Sequence, residues 1–256
     1  DSVLDPDADG FSEYDSIIFE NLTIDTTTRY GVSIDLDGLQ FQDDAHTHDV
    51  PFSILFDNVS INAAAGNGIN IELSNMLVDT IAIDSSTITG GVGNAFNVDL
   101  TNVILNEFNI VDSTLSGQAG AGVTVAMSAS TIEETSLRRS NIDGVSIDVA
   151  DGSVLRHTTM ADNTIAGSSG NDGVNVNIVD SIAEELRLTN NNSIQGVSVT
   201  VDDTAAGGAA LLTELFIHSN FITGNTTGAG VSLNLNNVDQ FVSITGNSIT
   251  ANSGDG

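Results

Sequence analysis

Three groups of residues have the types and spacing to do chemistry. The first is Asp5-Pro6-Asp7-Ala8-Asp9-Gly10-Phe11-Ser12-Glu13, which reads D-x-D-x-D-G-x-x-E. Carboxylates at alternate positions with glycine at the sixth fold a loop around Ca²⁺. The expected ligands are Asp5, Asp7, Asp9, the Phe11 carbonyl and Glu13. Position twelve is Ser16, not the bidentate glutamate of an EF-hand, so the loop is closer to the short calcium loops of secreted repeat proteins. The alternative is an acidic, solvated linker. The second group is His46 and His48 with Asp43, Asp44 and Asp49, a mixed imidazole and carboxylate set that suits zinc or another transition metal. Alternate histidines in a loop are weak evidence for a metal, and a solvated tip is the favoured reading.

The third group emerges only when repeats are aligned. Glu107, Glu134, His157, Glu185 and Glu214 fall at one repeat position, and Asn106, Glu133, Arg156, Glu184 and Thr213 precede them. Arg156 and His157 are thus expected between glutamate pairs of the neighbouring units. Arg138, Arg139 and Arg187 fall in the same units. Such a set could serve acid–base chemistry on a glycan. The favoured reading is a charge ladder in which Arg156, His157, Glu134 and Glu185 relieve stacked like charges.

These residues are positioned by a repeating phrase. Gly144-Val145-Ser146-Ile147-Asp148-Val149 returns with first residues Gly31, Gly68, Ala95, Gly122, Gly173, Gly196 and Gly230, at spacings of 37, 27, 27, 22, 29, 23 and 34 residues. A small residue followed by strict apolar–polar alternation is a strand with one buried face. Each unit then carries a second strand, such as Ile81-Ala82-Ile83 or Leu215-Phe216-Ile217, a corner and a short third strand. The corner residues are expected to be Ser86, Ser113, Ser140, Asn163, Asn192, Asn220 and Asn247, small polar side chains that can hydrogen-bond along a stack.

Repeats of this length with three short strands define an all-β parallel β-helix, a β-solenoid of about eight or nine coils. At about 4.8 Å per coil it forms a rod roughly 40 Å long. The organisation expected is an acidic calcium-type loop or linker over residues 1–16 and a solenoid over residues 17–256. The pattern resembles the right-handed parallel β-helix superfamily of pectate lyases, polygalacturonases, tailspikes and bacterial surface proteins. The resemblance implies right-handed coiling, and it rests on the repeat rather than on a catalytic motif. The paired aspartates with downstream histidine and arginine–lysine element of the hydrolases are not found. A lyase base beside calcium aspartates would draw on lysine or arginine, and the chain has no lysine.

Composition narrows the partners. Net charge is −30, all five basic residues are arginine and cysteine is absent. A nucleic-acid face needs a basic stripe, so nucleic acid is not an expected partner, and no segment suits direct membrane insertion. Along the first strand Asp35, Glu72, Asp99 and Asp148 form an outward acidic row, which divalent cations would screen. Hydroxyl pairs such as Thr87 with Thr89 form part of a rank that would suit ice or sugar, but Asn141, Asp143, Gln195 and Phe221 interrupt it and argue against that reading. The first coil starts at Ile17 without an earlier Gly-Val strand, and Gly256 falls where the next coil would open. The expectation is therefore an excerpt of a longer solenoid, or ends that stack on other copies.

The reading these observations favour is an extracellular, cell-surface structural segment of a fibre or adhesin, non-catalytic and associating with further repeats or copies of itself. The alternative is a carbohydrate-active enzyme or a glycan-binding module. Calcium titrated into the full chain should give a binding heat that an Asp7→Ala, Asp9→Ala variant loses; equal heats from both would remove this loop as a calcium site.

Overall fold

The computed structural model describes residues 16–26, 30–38, 52–167, 172–202, 210–224, 229–236 and 241–250. The calcium-type residues Asp5, Asp7, Asp9, Phe11 and Glu13 lie outside the described residues, as do Asp43, His46, His48 and Asp49. All regular elements among the described residues are strands, and every pairing between them is parallel. The chain is a parallel β-solenoid.

The first strands stack in the register the repeat predicts: Val32, Ile69, Phe96, Val123, Val145, Val174, Val197 and Val231 are successive partners. These seven steps amount to about seven turns, with part-turns at either end. Second strands stack from Ser16–Glu20 through to Phe241–Thr245, and third strands form a separate nine-stranded sheet. In two turns the first and second strands run together as 16-residue strands, Ile69–Asp84 and Phe96–Val111. These bend at Asn75 and Asn102, which adopt positive φ of 54° and 55°. Asparagine tolerates this left-handed conformation better than most residues.

Alternation places one apolar row from every strand inside. Ile71, Val98, Val125, Ile147, Val176 and Val199 form one such buried row, and Ile61, Ile88, Leu115, Ile142, Ile165, Ile194 and Ile222 another. Each fully buried side chain of this size contributes roughly 1.5–3 kcal/mol. Because identical positions stack, rings stack too: Phe19 and Phe56 lie 4.7 Å apart and within 2° of parallel. The glycines that open the first strands at Gly31, Gly68, Gly122 and Gly173 have a steric cause. A Cβ on Gly68 would come 2.5 Å from Ile88 Cγ2 and 2.6 Å from the Ala95 carbonyl oxygen. The end of the third strand thus closes tightly on the first.

Two inward positions break the apolar rule. Thr135 and Thr158 occupy adjacent turns in the row that holds Phe108 and Leu186, and their buried hydroxyls have no protein partner. Burying a hydroxyl without a partner costs stability, so these turns are a weak point of the core.

The corner between second and third strands carries a continuous polar ladder. A left-handed residue (Ser85, Asp112, Arg139, Asp162, Asn190 or Ser219) turns the chain, and the next backbone N–H bonds to a side chain one turn away. The Val59 N–H donates to Ser86 Oγ, the Ser86 N–H to Ser113 Oγ and the Ser113 N–H to Ser140 Oγ, each at 3.1 Å. The ladder then changes to asparagine: the Ser140 N–H donates to Asn163 Oδ1, and the Asn163 N–H to Asn191 Oδ1. Each asparagine amide also donates backwards to a main-chain carbonyl, as Asn163 does to Leu137 and Asn191 to Met160. A shorter serine ladder, Ser130, Ser153 and Ser181, serves the corner between first and second strands.

One corner assignment is corrected. Asn191, not Asn192, is the ladder residue. This corner holds one residue more than the previous one, since Ala161 pairs with Thr189 but Thr164 with Ser193. The extra residue is accommodated by turning Asn192 out to solvent while Asn191 stays 2% exposed. Asn191→Ala should therefore cost about 2–3 kcal/mol through stranded buried partners, and Asn192→Ala almost nothing; chemical denaturation of the two variants distinguishes them.

Candidate functional site

The titratable residues of interest project from the outer face of the second strand. Each turn there carries two consecutive outward residues before alternation resumes, because the pairing passes from Leu105 and Ile132 to Glu107 and Glu134 with Asn106 and Glu133 outside the ladder. This local irregularity presents a double row of side chains. In one row Glu107, Glu134, His157, Glu185 and Glu214 are direct partners in successive turns, as the repeat alignment requires.

Arg156 belongs to the other row and spans three turns. Its Nη1 donates to Glu184 Oε1 at 2.6 Å, and its Nε lies 2.8 Å from Glu133 Oε2 as an ion-pair contact rather than an aligned hydrogen bond. The charges of Glu133 and then Glu184 raise its pKa above the usual arginine value. His157 contacts one neighbour: its Nδ1 is 3.2 Å from Glu185 Oε2, while Glu134 is its register partner on the other side. Glu185 Oε1 also receives Arg187 Nε. The guanidinium of Arg187 sits 4.3 Å over the Phe216 ring, which packs against His218 and Phe241. The cluster thus passes from charge pairs to an arginine–aromatic group over four turns.

Arg138 and Arg139 lie apart from this row. Arg139 forms a two-bond fork with Asp112 across the left-handed corner, both bonds at 2.8 Å. The Arg139 hydrogen bonds hold the Asp112 carboxyl below its usual range. Arg138 donates to Ser136 Oγ.

The outward acidic row of the first strand is in register, with Asp35, Glu72 and Asp99 on successive turns. Amide side chains attend it. Asn70 donates to Glu72 and Asn97 to Asp99, both at 2.8 Å, and Asn97 also donates to Asn70 across the turn. Partial burial, followed by the charge of Glu72, pushes the Asp99 carboxyl up despite the Asn97 hydrogen bond. No cluster of three or more metal-ligating side chains occurs among the described residues.

The third-strand sheet presents Thr87, Thr114, Asn141 and Thr164 outward in one row, with Phe221 interrupting it further on. A shallow, mostly polar groove lined by Asn21, Thr23, Asn58 and Ser60 lies near its first turns. Asn-x-Ser/Thr triplets begin at Asn21, Asn58, Asn191 and Asn225; Asn191 is buried in the ladder, while Asn21 and Asn58 are exposed and joined by a 2.6 Å hydrogen bond.

The sequence matches no protein-family model, and neither curated proteins nor solved structures give a significant match.

Alignment of repeats found the Arg156 cluster but passed over a second feature of the same face. Leu77, Ile104, Thr131, Val154, Ile182 and Leu211 are direct partners in six successive turns and all point outward. Each follows a corner, where a single residue, aliphatic in every turn but that of Thr131, gives no periodic signal.

The raised Asp99 carboxyl makes a pH prediction. Its folded form binds a proton more tightly than the unfolded chain, so stability falls as pH rises from the ordinary aspartate value through the folded one. Asp99→Asn should raise the melting temperature at pH 7, and the gain should vanish near pH 3, where the wild-type residue is protonated in both states.

Proposed function

We infer that this chain is a non-catalytic structural segment of an extracellular rod, part of a cell-surface fibre or adhesin. The observation that carries the reading is continuity. The same inward rows, and a corner ladder running without interruption from Ser86 to Asn247, extend through the described turns. Stacked units of this kind hold length and stiffness, with each turn braced by its neighbours. Within this reading the Arg156 cluster is a charge ladder. Glu133 and Glu184 would otherwise be separated only by an uncharged turn, and like charges facing one another destabilise a sheet.

Val242 and Ile244 continue the core rows of Leu215 and Ile217 into the last described second strand. Net charge of −30 suits an environment rich in divalent cations, and the Asp5–Glu13 loop is the proposed calcium site.

A second reading, a glycan-binding or carbohydrate-active surface, is favoured by one feature. Arg187, Phe216 and Phe241 place a guanidinium and aromatic rings beside the carboxylates of Glu185 and Glu214. Arg156→Glu separates the two. As a ladder residue its reversal should lower the melting temperature by a few degrees, with no polysaccharide cleavage lost. Turnover in a glycan panel by wild type, abolished in the variant, would overturn the structural role.

A further inference from the structure

The interior of the rod narrows in chemistry at two adjacent turns. Phe96 of a first strand and Phe108 of the second strand meet across the core, their ring centroids 5.7 Å apart. Register carries this facing pair along the axis. In the next two turns it becomes Val123 with Thr135, then Val145 with Thr158, and in the turn after that Val174 with Leu186. All of these side chains are buried. Each valine–threonine pair is far smaller than the pair of rings before it. It is also one heavy atom smaller than the valine–leucine pair that follows. Two such deficits stacked on one another leave room on the order of one or two waters, at about 30 Å³ each.

The same two turns hold the hydroxyls that lack a protein partner. Thr135 is 2% exposed and Thr158 1%. They are direct register partners, so equivalent atoms lie one strand spacing, about 4.8 Å, apart. That is too long for a bond between two hydroxyls, which needs about 2.7–2.8 Å. One oxygen atom set beside the line between them reaches both. Each hydroxyl offers a donor and an acceptor to it. The polar side chain at the nearest corner is committed elsewhere, since Asn163 accepts from the Ser140 N–H and donates to the Leu137 carbonyl. Met127 and Met160, in these turns, can flex into irregular space, but neither sulfur partners a threonine hydroxyl.

We propose that the core holds a structural water between Thr135 and Thr158, hydrogen-bonded to both Oγ1 atoms and tying two adjacent turns together from inside. Two polar partners are the minimum that a buried water requires. Such a water offsets the cost of burying the two hydroxyls. The proposal rests on the solenoid fold alone and is independent of any cell-surface role.

Valine has the shape of threonine without its hydroxyl, so thermal unfolding of three variants of the full chain reads the bridge. Thr135→Val or Thr158→Val alone leaves the shared water one partner short, and each should lower the melting temperature by roughly 2–4 °C. The double variant loses both hydroxyls and the water with them, and should recover most of that loss. Hydroxyls that are merely buried would give the opposite sign: each single substitution would remove a penalty, and the gains would add. Additive effects of either sign overturn the proposal. Oxygen-17 relaxation dispersion supplies a second measure, because it counts waters that stay bound longer than the protein takes to tumble. The wild type should hold at least one more such water than the double variant. Equal counts overturn the proposal and leave the rod reading intact.

Discussion

Everything in this fold depends on finding a partner for each backbone N–H in the turn that follows. Along the strands the parallel ladder supplies it. At a corner the chain rotates through a left-handed residue, and the next N–H points away from any carbonyl of the adjacent turn. Buried and unpaired, it would cost a large fraction of a typical domain's stability when repeated in every turn. The serine and asparagine side chains close this gap. They also set the register, because a turn displaced by one residue would lose its ladder bond and expose its inward row together.

The ladder explains why loops of different length are tolerated. Successive first strands are separated by 22 to 37 residues, yet the corner atoms remain in line. Additional residues turn their side chains outward wherever the backbone demands are already met, as Asn192 does beside Asn191 while its N–H bonds the Asn163 carbonyl of the adjacent turn. Surface excursions cost little once each closed turn is stabilised by its neighbours.

A stack that repeats its geometry also repeats its charges, and the outer face must manage this. Three devices are visible. Arginine between glutamates alternates the sign along the axis, as at Glu133, Arg156 and Glu184. Amide relays donate to carboxylates, as from Asn70 and Asn97. Elsewhere neutral residues take the row, as at Ala126 between Asp99 and Asp148.

The sequence by itself determined the strand type, the inward rows and the register of all eight first strands, because period-two alternation is local and a small opening residue leaves room for the following turn, as at Gly31, Gly68, Gly122 and Gly173. It also placed Glu107, Glu134, His157, Glu185 and Glu214 in one row. It did not determine which of Asn191 and Asn192 joins the ladder, since both are asparagine and only the stacked neighbours select one. Nor could it show that Thr135 and Thr158 stack inside the core, that Arg156 reaches both neighbours while His157 contacts only Glu185, or that six isolated residues form a mostly aliphatic stripe. Those facts depend on which residues 23 to 29 positions apart become adjacent, and on which way a side chain turns at an irregular step in the ladder. Only the closure of successive turns on one another decides that.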